Sequence, residues 1–116
     1  MKYSIEIRER GFNAIKAGTK KVEGRVPKTN DDIYQKIKEG DQIEFENETS
    51  KEKIMVDVAY VHQYPDIATM LQTEGPENVL SSFPKTVEHG VESYNSFDGY
   101  KENVVKYGIY AIGIRK

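Results

Sequence analysis

The longest patterned stretch in the chain runs from Lys53 to Tyr64. Strand alternation puts Ile54, Val56, Val58, Tyr60 and His62 on one face and Met55, Asp57, Ala59, Val61 and Gln63 on the other. Apolar residues occur on both faces. A strand with one wet face does not read this way. Such an arm suits a barrel strand that is buried partly on each side and has room for a bulge.

Shorter elements surround this arm. Tyr3–Ile7 alternates and reads as a first strand with its Tyr and Ile inward, and Gln42–Asn47 reads as another with Ile43 and Phe45 on one face. Residues 107–114 read as the last strand. Glu9–Ala17 has Phe12, Ile15 and Lys16 at helical spacing, although Gly11 weakens it. A second helix is expected from a cap at Asn30 or Asp31 through Ile37, broken by Glu39-Gly40-Asp41. A third starts at the Asp66 cap with Ile67, Met70 and Leu71, followed by a turn over 73–78. A fourth covers 86–96 with Val87, Val91 and Tyr94 at i, i+4 and i+7, and 95–99 is a loop. The 116 residues are enough for one core and one domain, 1–116. Five to six strands with three or four short helices give an α+β chain, a small mixed β-barrel closed by helical insertions.

Charge concentrates just after the first helix, in Gly18-Thr19-Lys20-Lys21-Val22-Glu23-Gly24-Arg25. Gly18 is placed to end that helix in a left-handed cap. Read as a strand over 21–26, Lys21, Glu23 and Arg25 share one face, while Val22 and Val26 face the core. Gly24 thins the strand, so that another backbone or a flat ligand can approach. Lys20 stands at the corner, within reach of the same place. One acid set between cations can bind phosphate through Lys20 and the Arg25 fork, with Glu23 pinning Arg25 or accepting from a base edge. The competing reading is a surface ion pair contributing about 0–1 kcal/mol.

Residues 1–28 carry eight Lys/Arg and three Glu, whereas 29–116 carry nine Lys/Arg and sixteen Asp/Glu. A local anion-attracting patch on an acidic body follows if the first quarter folds together. Tyr60, Tyr64, Tyr94, Phe97 and Tyr100 fall at strand ends and loops, where a ring can stack on a base.

Several chemistries lack support. Cysteine is absent, so disulfides and thiolates are out. His62 and His89 stand in no metal-ligand spacing and read as structural. No phosphate-cradling glycine loop and no nucleophile elbow occur. No metal and no cofactor is expected. With no apolar run long enough to span a bilayer and no apolar signal core in the first residues, no membrane partner is expected, and the expected location is the cytoplasm.

Gly18, Lys20, Glu23 and Arg25 fit G-x-K-x-x-E-x-R, and the chain here resembles the ASCH domain family (activating signal cointegrator homology). Two further segments look like the family's in the same order: Ile37 to Phe45, containing Gly40-Asp41, and the closing strand from Lys106 to Ile114. The resemblance implies a PUA-like barrel. It also implies a cleft lined by Gly18, Lys20, Glu23 and Arg25 that binds RNA or a nucleobase; beside these motif residues, Lys21 and the aromatic Tyr64, Tyr94 and Tyr100 are expected as further contacts to RNA or a modified nucleoside. A related branch looks like amidohydrolases that remove the acetyl group of N4-acetylcytidine. That branch pairs a Lys matching Lys20 with a Thr where this chain has Glu23, and adds a Glu from the segment after the long strand. The catalytic alternative here is Lys20 as base or nucleophile, with Glu23 and a downstream acid, Glu74 or Glu77. Oligomeric state is not set by the sequence.

Overall fold

The computed structural model describes residues 1–116. Its strands are β1 (Lys2–Ile7), β2 (Val22–Arg25), β3 (Gln42–Asn47), β4 (Lys53–Tyr64) and β5 (Ile109–Arg115). They form one sheet in the order β1-β3-β4-β5-β2. The β1–β3 pairing is parallel and the others are antiparallel. The sheet curls into a half-barrel, with helices α1 (Glu9–Ala17), α2 (Ile67–Glu74), α3 (Pro76–Val79), α4 (Val87–Asn95) and α5 (Tyr100–Tyr107) packed around it. The α+β class read from the sequence is the class observed.

β4 is long because it serves two partners in turn. Residues 53–57 pair with β3, and residues 57–64 pair with β5. Between Val58 and Tyr60 the register shifts. The shift changes which face each later residue takes. Val56 and Val58 pack in the same cluster as Phe12 of α1, whereas Tyr60 and Tyr64 pack against Ile67, Met70 and Leu71 of α2. Simple alternation put Tyr60 and His62 on the Ile54–Val58 face; the bulge moves them to the other one. Tyr60 then lies flat against Gly113 of β5, where a Cβ would collide with its ring.

Two apolar clusters thus sit on opposite faces of β5. Ile112 belongs to the cluster under α1, with Ile5, Phe12, Ile43 and Phe45. Ile109 and Ala111 belong to the cluster under α2–α5, with Val22, Val26, Met70, Leu71 and Tyr94. Phe12, Phe45, Met70 and Leu71 are fully buried, so each layer has its own large anchors.

Three local expectations change. The helix from Asn30 or Asp31 to Ile37 is one 3-10 turn, Ile33–Gln35, capped by Asp32. The Asp32 carboxylate accepts from the Ile33 N–H at 2.7 Å, and Gln35 Oε1 accepts from the Asp32 N–H at 2.6 Å. This reciprocal box closes within one turn, and Ile37 then drops into the α1-side core. The turn expected over 73–78 is the end of α2 followed by the short α3, with Pro76 at its first position. α5 is additional. Gly99 and Gly108, both at positive φ, bracket it, and Val104 is its one buried residue, so it leaves little apolar periodicity.

Candidate functional site

α1 delivers the charged stretch. Gly18 takes φ 84°, and its N–H returns to the Ala14 and Ile15 carbonyls. The Thr19 and Lys20 N–H groups also bond Ala14 O, so the chain reverses tightly and points Lys20 back beneath α3. β2 then pairs with β5 in a register that sets Glu23 opposite Ile112 and Gly24 opposite Ala111. Residues opposite one another share a face. Glu23 therefore stands on the α1 side of the sheet, while Val22 and Val26 join the α2–α5 core.

Glu23 bridges two cations. Lys20 Nζ is 3.1 Å from Oε1, and Arg25 Nε donates to Oε2 at 2.7 Å. The Glu23 and Lys20 side chains are only 7% and 6% exposed, and Arg25 is 17% exposed. Lys20 also donates to the Val79 carbonyl. Arg25 Nη1 donates to the Tyr34 hydroxyl at 3.2 Å, and its guanidinium lies 5.6 Å from the Tyr34 ring centre. A solvated surface pair has none of this burial.

The electrostatics follow. Burial alone pushes the Glu23 carboxyl up, but the charges and hydrogen bonds of Lys20 and Arg25 together outweigh it and hold it below its ordinary value. Burial pulls Arg25 down, and Glu23 together with Tyr34 and Tyr100 more than reverses that. Burial, with the Glu23 charge adding to it, raises Tyr94. Tyr100 is raised by burial, against Arg25. Both phenols stay neutral.

These groups form the floor of an open cleft of about 790 Å³ between the α1 side and the helical layer. Arg8, Arg10, Lys20, Arg25 and Lys28 supply its cations, all from the basic first quarter, against Glu6, Glu23, Glu48 and Asp98. Tyr34, Tyr94, Phe97 and Tyr100 supply aromatic wall. Phe97 meets Tyr94 and Tyr100 edge-on, with ring centres 5.7 and 5.3 Å apart, and Tyr94 and Tyr100 are parallel at 6.1 Å. The Arg8 guanidinium sits 5.2 Å from the Phe97 ring centre. The room expected above Gly24 is already taken by the protein: a Cβ there would lie 2.6 Å from the Tyr94 hydroxyl.

Of the residues singled out in the sequence, Lys20, Glu23, Arg25, Tyr94 and Tyr100 meet in this cleft. Lys21 is exposed outside it, and its N–H donates to Asn78 O. Gly18 shapes the corner without lining the cleft. Tyr64 and Glu74 lie elsewhere. Glu74, on the last turn of α2, accepts from Tyr60 at 2.6 Å and from Tyr64, with His62 Nδ1 at 3.0 Å. Burial pushes the Glu74 carboxyl up, and these three bonds hold it below its ordinary value. Burial and Glu74 push the Tyr64 phenol up to about 12. Glu77 is exposed on α3. His89 Nε2 is 2.9 Å from Ser82 Oγ. No group of three or more His, Asp or Glu side chains is placed to hold a metal ion. No helix is long and apolar enough to cross a membrane.

Tyr34 and Arg8 were not singled out in the sequence. Arg8 had a signal in the basic first quarter. Tyr34 had none, because only the closed turn at Asp32–Gln35 aims it at Arg25.

Comparison with known proteins bears on the family and the fold. The family model of the ASCH domain matches residues 5–116. The crystal structure of hypothetical protein PH0355 is similar at 39% identity and a TM-score of 0.81, over 99% of this chain and 98% of that one. The solution structure of protein PF0455 from Pyrococcus furiosus is similar at 35% identity and a TM-score of 0.75, over 99% and 96%. A mutant of the ZmASCH protein from Zymomonas mobilis shares the fold at 14% identity and a TM-score of 0.60, over 97% of this chain and 66% of that one. No curated protein matches the chain.

Proposed function

This chain belongs to the ASCH domain family, and from that premise we propose that its cleft binds RNA or a nucleoside. The observation that carries the reading is the Arg25 clamp. Glu23 and Tyr34 fix the guanidinium from two sides, and the Arg25 side chain is mostly buried at the cleft floor. Its remaining N–H groups keep one direction toward the cleft without a further loss of side-chain entropy, which suits a phosphate or a base edge. Arg8, Arg10 and Lys28 at the rim attract the anion, and the Phe97 and Tyr100 rings offer a base a face.

The geometry favours binding over catalysis. A Lys20 base or nucleophile needs a free amine, but its Nζ is engaged by Glu23 and by the Val79 carbonyl. Glu74 gives its carboxylate to Tyr60, His62 and Tyr64 outside the cleft, so Lys20, Glu23 and Glu74 do not form one acid–base group.

Titration with cytidine monophosphate and with a short RNA, at fixed salt, tests the reading. Arg25→Ala should weaken binding about tenfold to a hundredfold, the loss of charge-assisted hydrogen bonds. An unaltered affinity in a folded variant removes Arg25 from the site. The same protein incubated with N4-acetylcytidine tests the amidohydrolase alternative: cytidine release that disappears in Lys20→Ala would replace binding by catalysis.

A further inference from the structure

One aromatic side chain is largely exposed. Phe83 is 79% exposed, in the loop Ser81-Ser82-Phe83-Pro84-Lys85 between α3 and α4. Ser81 and Ser82 line the cleft, and Phe83 is the next residue, so its Cα stands about 3.8 Å from that of a cleft-wall residue. Phe83 itself does not line the cleft, but of the four exposed large apolar residues, with Met1, Met55 and Val105, it alone directly follows a lining residue.

The loop is anchored at both ends. Ser82 Oγ and His89 Nε2 are 2.9 Å apart, and the Thr86 N–H donates to the Pro84 carbonyl at 3.0 Å. Thr86 Oγ1 caps α4 by accepting from the His89 N–H at 3.2 Å. The Lys85 ammonium lies 5.1 Å from the Phe83 ring centre. The fold therefore holds an exposed ring and a cation together on the loop that continues from the cleft wall, and burial of the ring contributes almost nothing to stability.

We propose that Phe83 is a stacking platform for a second base, and that the ligand of the cleft is single-stranded RNA and not a free nucleoside. The inference rests on the reading of the cleft above and extends it past the first nucleotide. Every base has a face to offer a ring, and Lys85 is placed to meet a phosphate of the strand leaving the cleft.

Affinities of the wild type and Phe83→Ala are measured for cytidine monophosphate and for a short single-stranded oligoribonucleotide. The wild type should bind the oligonucleotide more tightly. Phe83→Ala should lower oligonucleotide affinity roughly 5- to 150-fold, the loss of one stacked base, and leave the mononucleotide unchanged. Phe83→Trp should retain oligonucleotide affinity. The chain has no Trp, so that variant reports from one site, and its emission should fall with oligonucleotide but not with mononucleotide. Equal oligonucleotide affinity in Phe83→Ala, or an indole that does not respond, with mononucleotide still bound, overturns the inference and leaves the cleft reading in place. A wild type that binds neither ligand overturns the cleft reading, and the inference with it.

Discussion

Replacing Glu23 by glutamine should destabilise the fold by about 3–5 kcal/mol at neutral pH. The substitution is isosteric, so no cavity opens and the loss is electrostatic. The one amide oxygen can accept from Lys20 or from Arg25 but not from both as the two carboxylate oxygens do, so one cation is left with only the Val79 carbonyl or only the Tyr34 hydroxyl, and the charge that balanced both is gone. The Gln amide must also turn an NH2 toward one of the two cations. An exposed pair would lose only about 0–1 kcal/mol, so the size of the effect distinguishes a desolvated bridge from a surface salt bridge. In urea, with a slope of about 1–3 kcal/mol per molar, the midpoint should fall by about 2 M, and circular dichroism follows it directly. The pH dependence gives a second reading. The folded carboxyl is held below its ordinary 4.5. Its contribution is complete above the unfolded value and fades as pH falls through the lowered folded one. The gap between wild type and Glu23→Gln should therefore narrow in acid. A gap under about 1 kcal/mol at neutral pH, or one that persists unchanged in acid, would refute the reasoning.

Gly24→Ala should cost about 1–3 kcal/mol by overpacking, because its Cβ meets the Tyr94 hydroxyl and, at 3.1 Å, Met70 Cε. Thermal melts check this, and a neutral result would mean that Tyr94 moves aside without loss. Glu74→Gln should cost about 1–3 kcal/mol above the acid range, since Tyr60, Tyr64 and His62 lose a shared carboxylate. Its effect should vanish as pH falls through the lowered carboxyl value. Cleft affinity in the same titration should stay at the wild-type level, and a parallel loss would join the two clusters into one site.

What could be read beforehand depended on how local the cause was. β3 and β4 show their bounds because alternation and turn residues are both local signals. Gly18 ends α1 for the same kind of reason. The bulge in β4 is legible as a conflict between two apolar faces, but its position is set by pairing with β5, which the strand's own residues do not encode. That is why Tyr60 and His62 change sides. α5 escapes because a helix burying only Val104 has almost no periodicity to find. In the cleft, Lys20, Glu23 and Arg25 are close in sequence and were read as one group. Glu74 required tertiary placement: chain order cannot tell that α2 aims it at β4 and away from Lys20.

The strand order has a consequence in time. β2, which carries Glu23 and Arg25, has no strand partner but β5, and residues 22–25 must wait for residues 110–113. Local helices form in about a microsecond, whereas a pairing that closes nearly the whole chain waits on a long loop search. During synthesis the cations of the cleft emerge first and remain exposed until the last strand arrives. Only then is Glu23 desolvated between Lys20 and Arg25. Completion of the fold and completion of the site are the same event, and a chain stalled before β5 has every charged group of the motif and no cleft to hold them.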